Sequence, residues 1–339
     1  MSGGDGPTNE RASATPIDGV RTEGRGHAAI AEAVERLSLP DALDDAGLVL
    51  LLPDTGYPHH PSTGAVTDPT VVRALASHIR RTTGTERVLV GVAGDGQLSD
   101  GQIAELLGYG SPARDAAAAT GRGEDRGRDA KADRDADVGG SASDGTVGNQ
   151  LPGVIAREQC QTTDQTVETH LGPVDAAVPR VLEAATVVVV PSLRVAPDLR
   201  LAGAGAILGR WITGGAPTAR EAAAGLAAVD PVGAVLDATT AYVGHPLATD
   251  TLLCGESAAA LDATAASLFG WNTADVPFLS RESTAAPVTG IDTRELGRSL
   301  PDDPDDGPTG PTEAMATAYR TYARATGDVV PPQFLSDDV

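Results

Sequence analysis

The sequence predicts an open α/β fold, a mostly parallel sheet with helices on both faces, and three observations carry that expectation. Residues 48–52, 88–92 and, after Thr186, the rest of 186–190 are continuous apolar runs of strand length, as in strands covered on both faces. The first two enclose a segment with helical apolar spacing and clear start and stop signals. Strands alternating with helices argue for parallel pairing, because parallel neighbours need a crossover.

Residues 1–26 are Gly, Ser, Thr and charged residues without an apolar period, which predicts a disordered leader. From residue 27 to 37, Ile30, Ala33, Val34 and Leu37 share one helical face, and Pro40 ends the helix. After the strand at 48–52, a loop carries His59 and His60. Thr67 or Asp68 can cap the next helix, Pro69 suits its first position, Val71, Val72, Leu75 and Ile79 form its buried stripe, and Gly84 closes it. The returning strand at 88–92 completes a right-handed parallel unit. A short helix is expected within 97–109. Residues 111–150, with the interleaved charges RGEDRGRDAKADRDAD, lack the apolar content to offset ordering entropy and read as a disordered insertion. Beyond it we expect a helix at 178–185, a strand at 186–190 ended by Pro191, and a capping box of Thr218 and Glu221 before an alanine-rich helix. A strand at 232–236 ending in Asp237, a short strand at 252–254 and a helix at 257–269 stopped by Gly270 follow. Residues 27–300 thus read as one domain. Residues 301–339 read as an acidic linker, a helix with Met315, Tyr319 and Tyr322 on one side, and a tail.

Forty-seven acidic residues against 25 basic ones give a net charge of −22, and Lys131 is the sole lysine. Such a charge opposes compactness by self-repulsion, which concentrated salt screens within a few ångströms. The composition therefore predicts adaptation to a salt-rich cytoplasm, with a basic partner as the alternative. Nucleic-acid binding is not expected, since its affinity comes largely from basic side chains on phosphates. No apolar run reaches membrane-spanning length and no signal-peptide pattern marks the first residues, so the expected location is cytoplasmic, without a membrane partner. Cys160 and Cys254 stand alone and read as reduced structural thiols.

The segments LLPD (51–54), TDPTVVRAL (67–75), VGVAGD (90–95), VPSLR (190–194), LGRWITG (208–214), DPVGAVLDA (230–238) and AALDATAASLFG (259–270) occur in that order. Together they resemble the family named domain of unknown function 362 over about residues 27–294, apart from the insertion. Where that family ends a strand in Lys-Pro-Asn, this chain has Leu52-Pro53-Asp54. Ser192 stands at the first lysine of the family's Lys-x-Lys-Thr-His segment, Arg194 keeps its second charge, and Gly209 and Arg210 occupy its Lys-Asn pair. The resemblance implies an enzyme-like scaffold whose usual polar set is eroded. The family often carries ferredoxin-like iron–sulfur modules. Two isolated cysteines leave no place for one, so no iron–sulfur cluster is expected in this chain.

In open parallel sheets ligands sit beyond the carboxyl ends of the strands. Asp54, Asp95, Arg194 and Asp237 each follow an expected strand, and with His245, shortly after Asp237, the aspartates form a candidate acid–base set. Asp54, His59 and His60 are of metal-ligating types, with plain solvated surface as the other reading. Arg194 and Arg210 are candidate grips for an anion, and an ion pair with a nearby aspartate is the other reading of Arg194. Asp262, in an apolar helix, either caps a neighbouring loop or faces the site, and is grouped with the ligand-binding candidates. Gly203, Gly205 and Gly209 form a G-x-G-x-x-x-G run, read either as a remote dinucleotide fingerprint or as close packing. Two functions are expected: a small-ligand or anion-binding protein on an eroded enzyme-like scaffold, or an active enzyme of redox type working with an iron–sulfur partner. The cofactor, if any, does not follow from the sequence.

Overall fold

The computed structural model of the chain describes residues 15–56, 59–85, 87–96, 98–110 and 152–301. The insertion expected at 111–150, the acidic linker and helix expected beyond residue 301, and residues 1–14 of the leader lie outside the described residues.

The all-apolar run after Gly47 forms strand β2 (Leu48–Pro53), at the centre of a mostly parallel mixed sheet. On one side of it lie β3 (Arg87–Val92) and β4 (Gly153–Ala156), both parallel, with Leu50 opposite Leu89. On the other side β7 (Thr186–Val190) pairs with β2 in parallel, Leu50 opposite Val187. Next comes β10 (Gly233–Tyr242), parallel to β7, and then β11 (Pro246–Gly255), antiparallel to β10. Past Pro191 the chain continues as β8 (Ser192–Ala196), which runs along the upper half of β10 with Ser192 opposite Asp237, and pairs with the two-residue β9 (Arg200–Leu201).

The strands alternate as the pleat requires. Val49 and Leu51 face α1 (His27–Glu35), α2 (Pro69–Thr82) and α3 (Asp100–Leu106). Leu50 and Leu52 face the other layer, built from α4 (Arg180–Ala184), α5 (Ala204–Thr213), α6 (Ala219–Val229), α7 (Ala258–Leu268) and α8 (Thr293–Ser299). In α2 the stripe Val71, Val72, Leu75 and Ile79 is fully buried, and burial of such side chains stabilises by about 1.5–3 kcal/mol each. Asp68 caps α2 by accepting from the Thr70 N–H, and Pro69 occupies its first turn.

Four expectations are corrected. The leader does not stay irregular through residue 26: β1 (Ile17–Arg21) pairs antiparallel with β11 and buries Ile17 and Val20, and β12 (Val288–Thr289) pairs beside it. Residues 178 and 179 belong not to a helix but to β6 (Val174–Pro179), which forms a separate two-stranded ribbon with β5 (Thr162–Val167), so α4 begins only at Arg180. The strand expected at 232–236 runs on through Asp237 to Tyr242, because β8 and β11 supply neighbours along that whole length. The short strand at 252–254 is the end of the ten-residue β11.

The order of the parallel strands has one consequence for function. From β2 the chain builds rightward through β3 and β4, then returns to place β7 and β10 on the left. The winding reverses between β2 and β7, and in open sheets the crevice at such a reversal is where ligands sit.

Candidate functional site at the carboxyl edge of the sheet

Asp54 follows Pro53 directly at the end of β2, and Arg194 enters from β8, just past the end of β7. The two meet across the strand reversal. The Arg194 Nε donates to Asp54 Oδ2 at 2.9 Å, the Ser192 hydroxyl donates to the same oxygen at 3.1 Å, and Arg210 Nη1 lies 3.4 Å from Oδ1. Arg210 comes from α5, a helix buried along its length. All three charged side chains are at least 95% buried. Burial pushes the Asp54 carboxyl up, but the two guanidiniums and the Gly56 N–H outweigh it and hold it below the usual carboxylate range.

The loop after Asp54 is pinned tightly. The Gly56 N–H donates to Asp54 Oδ1 at 3.1 Å, and a Cβ at Gly56 would lie 2.1 Å from Arg210 Nη2, so the backbone rests on the guanidinium. The Thr55 hydroxyl donates to the Ala93 carbonyl at 2.9 Å and ties the ends of β2 and β3 together. Thr67, an alternative cap for α2, serves this edge instead: its hydroxyl donates to the Val190 carbonyl and accepts the Asp54 N–H. Gly64, at φ 74°, lets the loop lie on the Thr240 carbonyl, where a side chain would collide.

The other candidates are placed as follows. Asp237 lies at the same edge, buried, accepting from the Asp68 N–H at 2.8 Å and from the Thr239 N–H and hydroxyl. Burial pushes its carboxyl up to about 6 against those hydrogen bonds. It is therefore inside a strand and tied to the start of α2, not free beyond a strand end. His59 is buried with its ring 6.3 Å from that of Tyr242, whose backbone pairs with Arg194. Burial, with Arg194 beside it, lowers its pKa to about 4, so the ring is neutral at pH 7. Asp95, half-buried after β3, acts on the same ring by charge. His60 points elsewhere: it is exposed and its Nδ1 caps the short turn at Ser62. The paired histidines thus diverge and Asp54 is held by arginines. Among the described residues no three His, Cys, Asp or Glu converge in metal-binding fashion. His245 is exposed in the turn between β10 and β11.

Of the two readings of Asp262, the geometry is that of a cap. The residue lies in α7 and accepts from the Ala204 and Gly205 N–H groups at 2.8 and 3.0 Å, capping the first turn of α5 rather than lining the edge. Burial pushes it up to about 7 against those two bonds. That carboxylate fills the place a dinucleotide phosphate would take at the start of α5. The glycine run serves packing: a Cβ at Gly209 would lie 2.9 Å from Ala222 Cα, and one at Gly225 would lie 2.4 Å from Gly209 N. The backbones of α5 and α6 touch there.

Sequence reasoning missed the parts played by Gly56, Thr55, Thr67, Tyr109 and Tyr242. Tyr109 donates from its hydroxyl to the Thr67 carbonyl at 3.3 Å and is buried within the field of Asp68, Asp237 and Asp54. The only hint was position, since Thr55 and Gly56 directly follow a residue already singled out. Chemically, the edge holds two guanidiniums in fixed planes around one carboxylate, with a neutral imidazole and a phenol beside them. Such forks recognise carboxylate and phosphate oxygens.

No family model, no curated protein and no solved structure matches the chain.

Proposed function

We propose that this chain binds a small anion, a carboxylate or a phosphate, at the carboxyl edge of its parallel sheet. Arg194 and Arg210 are the grips, and Asp54 is the internal counter-ion that holds them in place. One observation carries the reading: the Asp54–Arg194 pair bridges the point where the strand order reverses between β2 and β7. The motif order that resembles the domain of unknown function 362 family supports an enzyme-derived scaffold, and Ser192 with Asp54, in place of lysine and asparagine, supports an eroded site. The acid excess supports a salt-rich cytoplasm as the setting. Among the described residues no helix is long and apolar enough to cross a membrane.

The test is calorimetric titration and thermal shift with inorganic phosphate and with succinate, each against chloride at matched ionic strength. At least one probe should bind saturably and raise Tm, since a ligand at 100 times its Kd adds about 2.7 kcal/mol. Arg194→Gln should weaken that binding at least tenfold in protein whose near-ultraviolet dichroism is unchanged. Responses equal to chloride, or an undiminished response in the variant, would overturn the proposal.

A second reading, an active enzyme at the same edge, has one observation in its favour. Asp237, at the same edge as the arginine pair, titrates near 6, within reach of acid–base work at neutral pH.

A further inference from the structure

Away from the strand edge, a cavity of about 550 Å³ opens between the end of α7 and helix α8, a volume suited to a small organic molecule. Its floor is apolar, from Leu268, Phe269 and Pro301. Its polar lining is Ser267 from α7 and Thr293, Arg294 and Arg298 from α8. Arg294 and Arg298 are one helical turn apart, so both reach the same space. Arg298 donates its Nε to the Arg294 carbonyl at 3.1 Å, which holds its guanidinium along the helix. Gly297, between them, lets α8 lie against the last turn of α7, where a Cβ would come within 3.2 Å of the Leu268 carbonyl.

The charge pattern is the second part of the case. In a chain of net charge −22, Arg21, Arg25, Arg81 and Arg200 each pair with a carboxylate. Arg294 and Arg298 make no such pair among the described residues, as is also true of Arg36, Arg73, Arg157, Arg180 and Arg220, and what sets the two apart is that both border one apolar hollow. An apolar wall strengthens a charge pair formed against it by lowering the local dielectric. Inorganic ions would leave the floor unused, and a neutral apolar molecule would leave the guanidiniums unused.

We propose that this cavity is a second binding site, for a small monocarboxylate with an apolar body. Arg294 and Arg298 hold the carboxylate, and Leu268, Phe269 and Pro301 receive the hydrocarbon. The site is separate from the Asp54 cluster and does not depend on it.

Hexanoate is the probe, titrated calorimetrically into the full chain at the lowest salt at which circular dichroism shows it folded, since added salt screens exposed charges. Hexanoate should bind saturably, hexanol at least tenfold more weakly, and the Arg294→Gln/Arg298→Gln double variant should lose at least tenfold in hexanoate affinity. Both arginines are exposed, so the variant should keep its fold, which circular dichroism checks. The strand-edge site also takes carboxylates by the first proposal, so the component of hexanoate binding that the double variant loses is the one read here, and it should persist in Arg194→Gln. Absence of saturable binding, equal affinity for hexanol, or full affinity in the double variant would each overturn the proposal. If Arg194→Gln alone abolished binding, hexanoate would belong to the strand-edge site, and this inference would fail while the first proposal stood.

Discussion

Asp54, just past the end of β2, and Asp262, inside α7, are both buried aspartates that meet α5, and they are stabilised in opposite ways. Asp54 meets two guanidiniums, which overcome burial and keep the carboxyl ionised. Asp262 meets only two backbone N–H groups at the start of α5, and burial wins, carrying it up to about 7. The contrast separates a group bound into an ionic cluster at the sheet edge from one that serves the scaffold. Two backbone hydrogen bonds do not offset burial at Asp262, whereas two guanidiniums with a backbone N–H do so at Asp54.

The largest expected effect breaks the Asp54 side of the comparison. Asp54→Ala removes the carboxylate from between Arg194 and Arg210 and leaves both guanidiniums buried. Removing one partner of such a cluster costs about 3–5 kcal/mol, to be read from urea unfolding at constant salt. A loss under 1 kcal/mol would mean that the cluster is solvated and that burial has no hold on it.

Opposite pKa shifts give opposite pH slopes, and this is the second way to test the pair. Asp54 has a folded pKa below the 3.8 of an ordinary aspartate, so its stabilisation is present above 3.8 and lost as pH falls through the folded value. Asp262 is raised from 3.8 to about 7, so its contribution is full below 3.8 and lost as pH rises through 7, on the order of a few kcal/mol. Asp237, raised to about 6, acts in the same direction, and His59, lowered from 6.5 to about 4, acts against both between those values. Asp262→Asn isolates one contribution: stability measured from pH 4 to 8 should fall less steeply in the variant than in the parent. Parallel curves would show that Asp262 does not titrate in that range.

Much of this comparison was legible before the structure, and the rest was hidden for physical reasons. The runs at 48–52 and 186–190 announce buried strands because, Thr186 apart, nothing in them could face water. β1 and β5 do not, since a five-residue strand with Asp18 and Arg21 in it, or one reading TTDQTV, owes its pairing to neighbours far along the chain. Asp54 and Arg194 stood out as residues just past strand ends, and both lie at the edge. Arg210 stands beside Arg194 among the candidate anion grips, but that it meets the same carboxylate was invisible, because 156 residues and a helix packing separate it from Asp54. Asp262 was conspicuous as a lone charge in an apolar helix. Which partner satisfied it depended on how α5 and α7 meet, and no local pattern encodes that.

The smallest expected effects come from two glycines, each pressed on one of these charged groups. At Gly56 an added Cβ would fall 2.1 Å from Arg210 Nη2, and at Gly203 it would fall 2.2 Å from Asp262 Oδ1. Neither glycine needs a positive φ, so alanine is costly only through collision. Overpacking of this kind costs about 1–3 kcal/mol at either site. Function should distinguish them. Gly56→Ala displaces a guanidinium of the proposed anion grip and should weaken the phosphate or succinate response together with stability. Gly203→Ala disturbs only the cap of α5 and should lower stability while leaving that response intact. If both variants bound the anion alike, the Asp54 cluster would be scaffold in the same sense as Asp262, and the difference between the two carboxylates would be one of electrostatics alone.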